Sequence, residues 1–396
     1  MSPHVRAELT TLVEIEQTLQ RAIEGSEVRF STDSINKNHG AIRDAARIQL
    51  LVSIAKVLDN KKLILQNSSD WHSVVEHLCS YSPGIVGARM FQNIDIGGKL
   101  ISRRDVLKSA ASRIAAMDTQ NYNALIRGKS IDFCCIGGAK KRFLSPLFYG
   151  NSISCVREPS DMVRMLTKVE ASINKNSNKQ LPNNFMSAFG VFLSELFKNT
   201  QEHALRDPND IQLIEHVEGL LATFSSYPTE LYSDDFSSNP TLKNYLENNT
   251  TENSSGQKLF PCIQLSIFDS GPGLVGRAFG YKDETYGRAQ ERIDLLKCLQ
   301  KNFSSKPEKA AGEGYPLILE HLADVGGLIR IRSGRHCIFK CFEQRHNDSA
   351  NEINLNSPSI LESFEDWMDF DLPKVEGTVV SILVPLRKAH GQQLLL

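Results

Sequence analysis

The sequence carries almost no net charge. Its 396 residues include 45 Lys and Arg against 46 Asp and Glu, which leaves a formal charge of -1 at pH 7. A chain without a basic excess has no overall field of the kind that supplies non-specific nucleic-acid binding, so a nucleic-acid partner is expected only if a local patch provides it. The length exceeds that of one average domain and predicts two packed units.

The sequence also lacks a long apolar run. The longest, 50–58 and 379–386, fall well short of the roughly 20 residues that a helix needs to cross a bilayer. The first residues, from Met1 to Glu8, are polar and contain no apolar core of a secretory signal. Neither a membrane span nor export is predicted, and the cytoplasm is the expected location.

Cysteines are scattered, and no two of them form a C-x-x-C pair. Most lie in apolar runs, so buried thiols that pack as small hydrophobes are expected. His336, Cys337 and Cys341 come closest to a metal cluster but lack a second ligand pair at zinc spacing, so no metal site is assigned there. The eight cysteines are Cys79, Cys134, Cys135, Cys155, Cys262, Cys298, Cys337 and Cys341.

The hydrophobic pattern divides the chain into two domains. Residues 1–175 alternate helical and strand-like patterns, which is typical of an α/β domain, here of unidentified type. The polar stretch 174–184 predicts the boundary, and 176–396 form the second domain. Two further polar segments, 232–258 and 343–358, are expected to be surface loops.

Within the first domain, the pattern predicts a helix over 5–23, a strongly amphipathic helix over 41–58 and a strand over 131–136. The segment 137–142, Gly-Gly-Ala-Lys-Lys-Arg, follows that strand. Glycines and cations suit an anion-binding turn, but a solvated basic turn is the favoured interpretation. No motif in this domain indicates a particular chemistry, so it is expected to be a sensor or a partner-binding domain.

A helix over 185–205 opens the second domain. Glu195, Asn199 and His203 recur at every fourth residue, so they lie along one face beside an apolar stripe. A carboxylate and an amide at the edge of a core are well placed to face a cleft. A solvated helix face would show the same spacing.

The next motif follows a buried strand predicted over 262–268. Asp269 stands at the end of this strand, and Gly271 and Gly273 come directly after it. A carboxylate followed by two glycines suits recognition of a flat, donor-bearing ring such as adenine. A tight turn with an aspartate cap is the alternative.

Gly312 and Gly314 precede a helix predicted over 317–325, and a strand is predicted over 328–333. Glycines before a helix N-terminus leave free N–H groups that can hold phosphates, although a plain junction between a loop and a helix also uses them. The last motif, Gly377 and Thr378, opens an apolar strand over 379–384.

The order of these four motifs is more specific than any one of them. E-x-x-x-N on a helix, a strand with D-x-G-x-G, G-x-G before a helix and a strand, and G-T before a strand resemble the ATP-binding module of the GHKL superfamily. That superfamily comprises DNA gyrase B subunits, the large heat-shock chaperone, histidine kinases and MutL proteins. The resemblance covers about residues 183–386 and implies a Bergerat-type α/β sandwich, with helices layered on a mixed sheet.

The resemblance implies ATP and Mg²⁺ as cofactors and assigns a role to each motif. Asn199 would bind Mg²⁺, Glu195 would polarise the attacking water, and Asp269 would accept a hydrogen bond from the adenine amino group with support from Thr378. The glycines would admit the ring (Gly271, Gly273) and the phosphates (Gly312, Gly314). The segment 274–311 would form a lid over the nucleotide.

The chain departs from the family pattern in the phosphate loop. Tyr315 and Pro316 stand where many members have Leu-Gly, which puts the lid hinge and the phosphate geometry in doubt. Lys306 or Lys309 would be the lid residues able to reach phosphate. A lysine that lies on the solvated surface without binding phosphate is the more common case.

Glu195 favours an ATPase whose lid closure regulates a protein partner or an assembly. Because members of the family commonly form dimers, the resemblance also suggests a homodimer. The alternatives are a kinase of the histidine-kinase or anti-sigma type acting on a separate partner, and a non-hydrolysing sensor or scaffold. His39, His72 and His77 do not fit a phosphoacceptor histidine shortly before the module. A nucleic-acid role would use a basic segment (Lys140, Lys141, Arg142) or strand arginines (Arg330, Arg332, Arg335), but Arg330 and Arg332 are expected to solvate an exposed sheet face.

Overall fold

The computed structural model describes residues 4–58, 62–66, 70–137, 143–150, 155–175, 180–201, 213, 215–236, 239–280, 286–300, 314–343, 361–363 and 370–386. The strands are β1 (His4–Ala7), β2 (Glu27–Phe30), β3 (Lys62–Leu65), β4 (Asn93–Ile96), β5 (Lys99–Ser102), β6 (Ser130–Ile136), β7 (Val217–Pro228), β8 (Thr251–Glu252), β9 (Lys258–Asp269), β10 (Leu328–Gly334), β11 (His336–Cys341), β12 (Glu362–Ser363) and β13 (Val375–Pro385). The helices are α1 (Leu12–Ile23), α2 (Thr32–Asn36), α3 (Ala41–Val57), α4 (Trp71–Leu78), α5 (Ser82–Met90), α6 (Arg103–Lys108), α7 (Ala111–Asp118), α8 (Tyr122–Leu125), α9 (Pro159–Ile173), α10 (Asn183–Asn199), α11 (Glu230–Phe236), α12 (Pro240–Asn248), α13 (Gly273–Phe279), α14 (Arg288–Cys298) and α15 (Gly314–Val325). The predicted α/β class is confirmed.

The first sheet contains five strands in the order β1-β2-β3-β4-β5. β1 to β4 are parallel neighbours, and helices form the crossovers between them, as parallel pairing requires. β5 turns back antiparallel through Gly97 and Gly98. Both glycines have positive φ angles, which suit a two-residue hairpin turn.

The second sheet has the order β12-β11-β10-β13-β9-β7-β6, with β8 paired to β9. All pairings between its described strands are antiparallel, whereas the resemblance implied a mixed sheet. The reason is the position of β13. β9 and β10 run in the same direction and are joined by a helical crossover, but β13 lies between them and pairs antiparallel with both.

The division between the two sheets falls between β5 and β6 and not near residue 175. β6 pairs with β7 in the second sheet, and α9 packs against α10 on the other side of the polar stretch. Within that stretch, the N–H of Leu181 donates to the Glu170 carboxylate at 2.6 Å. The stretch therefore connects two helices of one layer.

Helices cover both faces of the second sheet. Gln264 of β9 accepts a hydrogen bond from the N–H of Ile42, at the start of α3, at 3.3 Å. Its neighbours Ile263 and Leu265 line a small cavity with residues of α9 and α10. Because successive strand residues point to opposite faces, α3 lies on one face and α9 and α10 on the other, where α15 packs beside α10.

Helix α3 is buried on every side, so the prediction of a strongly amphipathic helix is wrong. One side packs on β13 and β9, and another packs on α1 and α5. Polar side chains of α3 have partners inside the protein, although Nε of the buried Arg47 has none. Asp44 accepts a hydrogen bond from the Tyr81 hydroxyl at 2.6 Å, and Gln49 donates to the Arg332 carbonyl at 3.1 Å.

Buried ion pairs connect the N-terminal helices to the second sheet. Glu16 of α1 accepts two hydrogen bonds from Arg332 of β10, at 2.8 and 3.0 Å. Arg43 of α3 pairs with Asp235 of α11 at 2.6 Å. Arg330 and Arg332 are both buried, so the prediction that they solvate an exposed sheet face is wrong.

Two further local predictions are wrong. Residues 4–7 form β1, and the helix begins only at Leu12, because Thr11 and Glu14 form a capping box there. The segment predicted as a loop over 232–258 contains α12 and most of α11. Leu242 and Tyr245 are one helical turn apart and both are buried, so this segment contributes to the core.

All eight cysteines lie within the described ranges and are free thiols. Five of them are buried, and Cys155, Cys298 and Cys341 are partly exposed, so burial is confirmed for most. The described residues contain no group of three or more His, Cys, Asp or Glu arranged to hold a metal ion. None of the helices in the described ranges is long and apolar enough to span a membrane.

Candidate functional site

Helix α10 carries the first motif. Phe185, Phe189 and Phe192 are fully buried and fix the orientation of the helix against the sheet. On the same helix, Glu195 is half-buried, and Asn199 is exposed at the last helical residue. The structure therefore leaves the amide of Asn199 accessible. His203 lies outside the described residues, as do Gly312, Lys306, Lys309 and the basic segment Lys140, Lys141 and Arg142.

Glu195 contacts the start of α15. Its Oε2 accepts a hydrogen bond from the N–H of Gly314 at 2.7 Å. A Cβ atom at Gly314 would lie 2.5 Å from the same oxygen, so any other residue there would displace the Glu195 carboxylate. A carboxylate at a helix N-terminus satisfies a free N–H and complements the helix dipole. The predicted catalytic carboxylate and the predicted phosphate-binding glycine are thus direct neighbours.

Asp269 ends β9 and is buried. Its Oδ1 accepts the N–H of Gly271 at 2.7 Å, which fixes the carboxylate at the start of the glycine turn. Its Oδ2 lies 3.3 Å from Nη2 of Arg277, on α13. Both side chains of this ion pair are only 8% exposed. Arg277 was not identified from the sequence, since a lone arginine beyond the motif carries no local signal.

The Gly-Thr motif closes over Asp269 from the next strand. The N–H of Gly377 donates to the Gly271 carbonyl at 2.6 Å. Thr378 is buried, and its hydroxyl lies 3.4 Å from that of Ser333. Val379 pairs with the residue before Asp269, so Thr378 lies on the same sheet face as the carboxylate. The adenine-type motif and the Gly-Thr motif therefore form one continuous surface.

Gly273 begins α13 with a φ angle of +80°, a conformation that L side chains rarely adopt. A Cβ atom there would lie 2.9 Å from the Ser333 hydroxyl. That hydroxyl accepts the N–H of Leu274 at 2.9 Å. The second glycine of the motif therefore lets the chain turn into α13 directly above β10.

Tyr315 lies between the two halves of the site. Its ring packs edge-on against Phe192, with centroids 5.0 Å apart. Burial raises the pKa of Tyr315, the cation of Arg277 lowers it, and the carboxylates of Asp269 and Glu195 raise it again. Both predicted site carboxylates therefore act electrostatically on the Tyr315 hydroxyl. The hydroxyl is buried and has no hydrogen-bond partner.

A buried polar cluster beside Asp269 was missed by sequence reasoning. Glu218 pairs with Asp269 in the β7–β9 register, and its carboxylate accepts a hydrogen bond from Gln201, just after α10. Nε2 of His216 lies 3.9 Å from the other Glu218 oxygen. That oxygen, the His216 nitrogen and Oε1 of Gln201 are buried without hydrogen-bond partners. His216 and Glu218, which flank Val217, are the residues in the sequence that could have indicated this cluster. They lie at the start of β7, a strand that the sequence pattern did not predict.

Helix α3 supports the site from the opposite face of the sheet. Nζ of Lys56 donates to the Ser270 carbonyl at 2.7 Å and to the Glu376 carboxylate at 3.0 Å. The hydroxyl of Ser53 accepts the N–H of Glu376 at 2.9 Å. Helix α3 therefore holds both the turn that follows Asp269 and the start of β13 beside it.

A cavity of about 360 Å³ opens at the other end of the second sheet. Its lining includes Lys129, Lys175 and Phe224. Phe224 pairs with Ile263, six residues along β9 from Asp269, so this cavity is separate from the site that the motifs form.

Comparisons of this chain with family models, with curated proteins and with solved structures give no match.

Proposed function

We propose that this protein binds Mg-ATP at the end of its second sheet and hydrolyses it, in the manner of the GHKL proteins and with a Bergerat-type module. The observation that carries the proposal is convergence. Glu195, Asp269, Gly314 and Thr378 come from four separate motifs. Glu195 contacts Gly314, Thr378 lies on the same sheet face as Asp269, and both carboxylates act electrostatically on Tyr315.

Asp269 provides the proposed adenine contact. Its carboxylate is buried, fixed by the Gly271 N–H and flanked by Thr378, which suits a single exocyclic amino donor. Gly377 supports this role because its backbone approaches Asp269 so closely that a Cβ atom would lie 1.8 Å from the Asp269 carbonyl oxygen. The recognition surface therefore depends on backbone contacts that only glycine permits.

The phosphate end lies near Glu195 and Asn199. The exposed amide of Asn199 would hold a Mg²⁺ ion, a metal that prefers oxygen ligands, and the ion would neutralise the charge of the phosphates. Glu195 holds the N-terminus of α15 by accepting the N–H of Gly314. To act as a general base it exchanges the N–H of Gly314 for a water molecule, which frees that N–H for phosphate.

Lys56 supports a regulatory role for the N-terminal part. Because α3 binds both loops around Asp269, a displacement of α3 by a protein partner changes the adenine contact directly. The N-terminal α/β part is thus the proposed sensor or partner-binding unit, and lid closure over the nucleotide is the proposed switch.

A non-hydrolysing nucleotide sensor is the second candidate. The hydrogen bond from Gly314 to Glu195 favours it, because a carboxylate that caps a helix is already committed to a structural contact. Both candidates require nucleotide binding, and they differ in turnover.

Phosphate release from Mg-ATP by the full chain separates the two. The ATPase predicts turnover in the wild type, loss in Glu195→Ala with ATP binding retained, and loss of Mg²⁺-dependent binding in Asn199→Ala. Exposed Glu320 and Asn244 provide matched controls as Glu320→Ala and Asn244→Ala. Binding without turnover in the wild type supports the sensor instead, and absence of binding refutes both.

A further inference from the structure

Arg277 and Tyr315 each bury a hydrogen-bonding group that has no partner. These groups are Nε of Arg277 and the hydroxyl of Tyr315. A buried donor without an acceptor costs stability, so each of them indicates an acceptor that the chain itself does not supply. Both residues border the surface formed by Asp269 and Glu195.

The two groups face the same region. Arg277 reaches Asp269 from α13, with a side chain that is only 8% exposed. Tyr315 directly follows Gly314, whose N–H donates to Glu195 at 2.7 Å. The guanidinium of Arg277 acts on the Tyr315 hydroxyl and lowers its pKa, against the larger effect of burial. A cation with a free N–H beside a neutral hydroxyl is a donor pair suited to an anion.

We propose that Arg277 and Tyr315 form a binding site for the phosphate chain, and that Arg277 leaves Asp269 for phosphate when the nucleotide binds. The proposal rests on the ATP-binding function proposed above and adds two residues to it. In this structure, Arg277 neutralises Asp269. In the bound site, the adenine amino group takes over one carboxylate oxygen and the guanidinium binds phosphate oxygens.

The exchange gives each buried group a partner: phosphate pairs with the Arg277 cation, and Asp269 keeps the N–H of Gly271 and gains the adenine amino donor. Removing one partner from a buried ion pair is strongly destabilising, so Asp269 releases Arg277 only if phosphate receives the cation. Adenosine offers Asp269 a donor but leaves Arg277 without an anion. ATP satisfies both residues, so the site discriminates against nucleosides.

The departure of Tyr315 and Pro316 from the family loop is consistent with this arrangement. Phe192 holds the Tyr315 ring edge-on, and Pro316 stands in the first turn of α15, so the hydroxyl is held by a rigid support. Burial raises the pKa of Tyr315, so the hydroxyl keeps its proton and stays a donor near neutral pH. The side-chain donors of Arg277 and Tyr315 thus take the place of the glycine that many family members have where Pro316 stands in this chain.

The test measures equilibrium binding of Mg-ATP and of adenosine to the full chain. Arg277→Met should lower the ratio of ATP affinity to adenosine affinity by about tenfold or more, because a charge-assisted hydrogen bond to phosphate is lost and Asp269 is released. Tyr315→Phe should lower the ratio by about threefold, the smaller effect of a neutral donor. Arg104→Met, at an exposed position on α6, should leave it unchanged.

Arg277→Lys keeps the charge but loses the planar guanidinium that can donate to two oxygens at once, and it should give an intermediate ratio of ATP affinity to adenosine affinity. It also provides the comparison if Arg277→Met fails to fold, which thermal unfolding of each variant reports. An unchanged ratio in a folded Arg277 variant, with ATP still bound, overturns the phosphate site and leaves the proposed function standing. A wild type that binds neither ligand overturns both.

Discussion

Replacing Gly377 with alanine should disable the candidate site through the backbone. Gly377 has a φ angle of +74°, and a new Cβ would lie 1.8 Å from the Asp269 carbonyl oxygen. Left-handed backbone costs an L-residue about 1 kcal/mol, and relief of an overlap in a packed region adds about 2 kcal/mol. The clashing atom belongs to the backbone, so the end of β9 that carries Asp269 or the start of β13 that carries Thr378 must move. We expect about 3 kcal/mol of lost stability and loss of ATP binding.

Gly256 is the matched control. Its φ angle is +76°, and no atom lies within 4 Å of the position that a Cβ would take there, so Gly256→Ala should cost only the backbone strain of about 1 kcal/mol. Urea unfolding followed by circular dichroism measures both variants, and titration with Mg-ATP measures their affinity. Equal losses of stability in the two variants, or full affinity for ATP in Gly377→Ala, would refute the claim that the close approach of Gly377 to Asp269 holds β13 against the end of β9.

Three further outcomes can be checked with the same assays. Lys56→Met removes two hydrogen bonds to the loops beside the adenine contact, and we expect weaker ATP binding with about 1 kcal/mol of lost stability. Glu16→Gln leaves Arg332 as an uncompensated buried cation and should cost about 3 kcal/mol in urea unfolding. Burial, followed by nearby cations, lowers the pKa of His39 to about 3, so the unfolded chain binds its proton first as the pH falls. Stability should therefore drop between about pH 6.5 and pH 3, and less steeply in His39→Gln than in the exposed control His72→Gln.

Elements with a strong local signal could be predicted from the sequence. β6, β9 and β13 are apolar runs bounded by glycine or polar residues, and the predicted strands fall within them. α15 begins three residues earlier than predicted, at Gly314, because Glu195 supplies the partner for its first N–H. That partner lies far away in sequence, and no local pattern reports it.

Long-range partners explain the remaining errors. Arg332 was assigned to an exposed face because arginine normally lies in water, but Glu16 pairs with it from 316 positions away. The same limit applies to the site. Asp269 and Thr378 could be placed from their motifs, whereas the ion pair of Asp269 with Arg277 and the support from Lys56 arise only when separate elements pack together.

The central position of β13 has a consequence for the order of folding. β9 and β10 precede it in the chain, yet neither can acquire its inner neighbour until residues 375–385 have been synthesised. Until then, a growing chain holds two apolar strands with open edges, which are aggregation-prone. The late pairing also joins residues far apart in sequence, such as Ile267 and Val380, which slows closure. Since β13 also contributes Thr378, the candidate site is assembled in the step that completes the sheet.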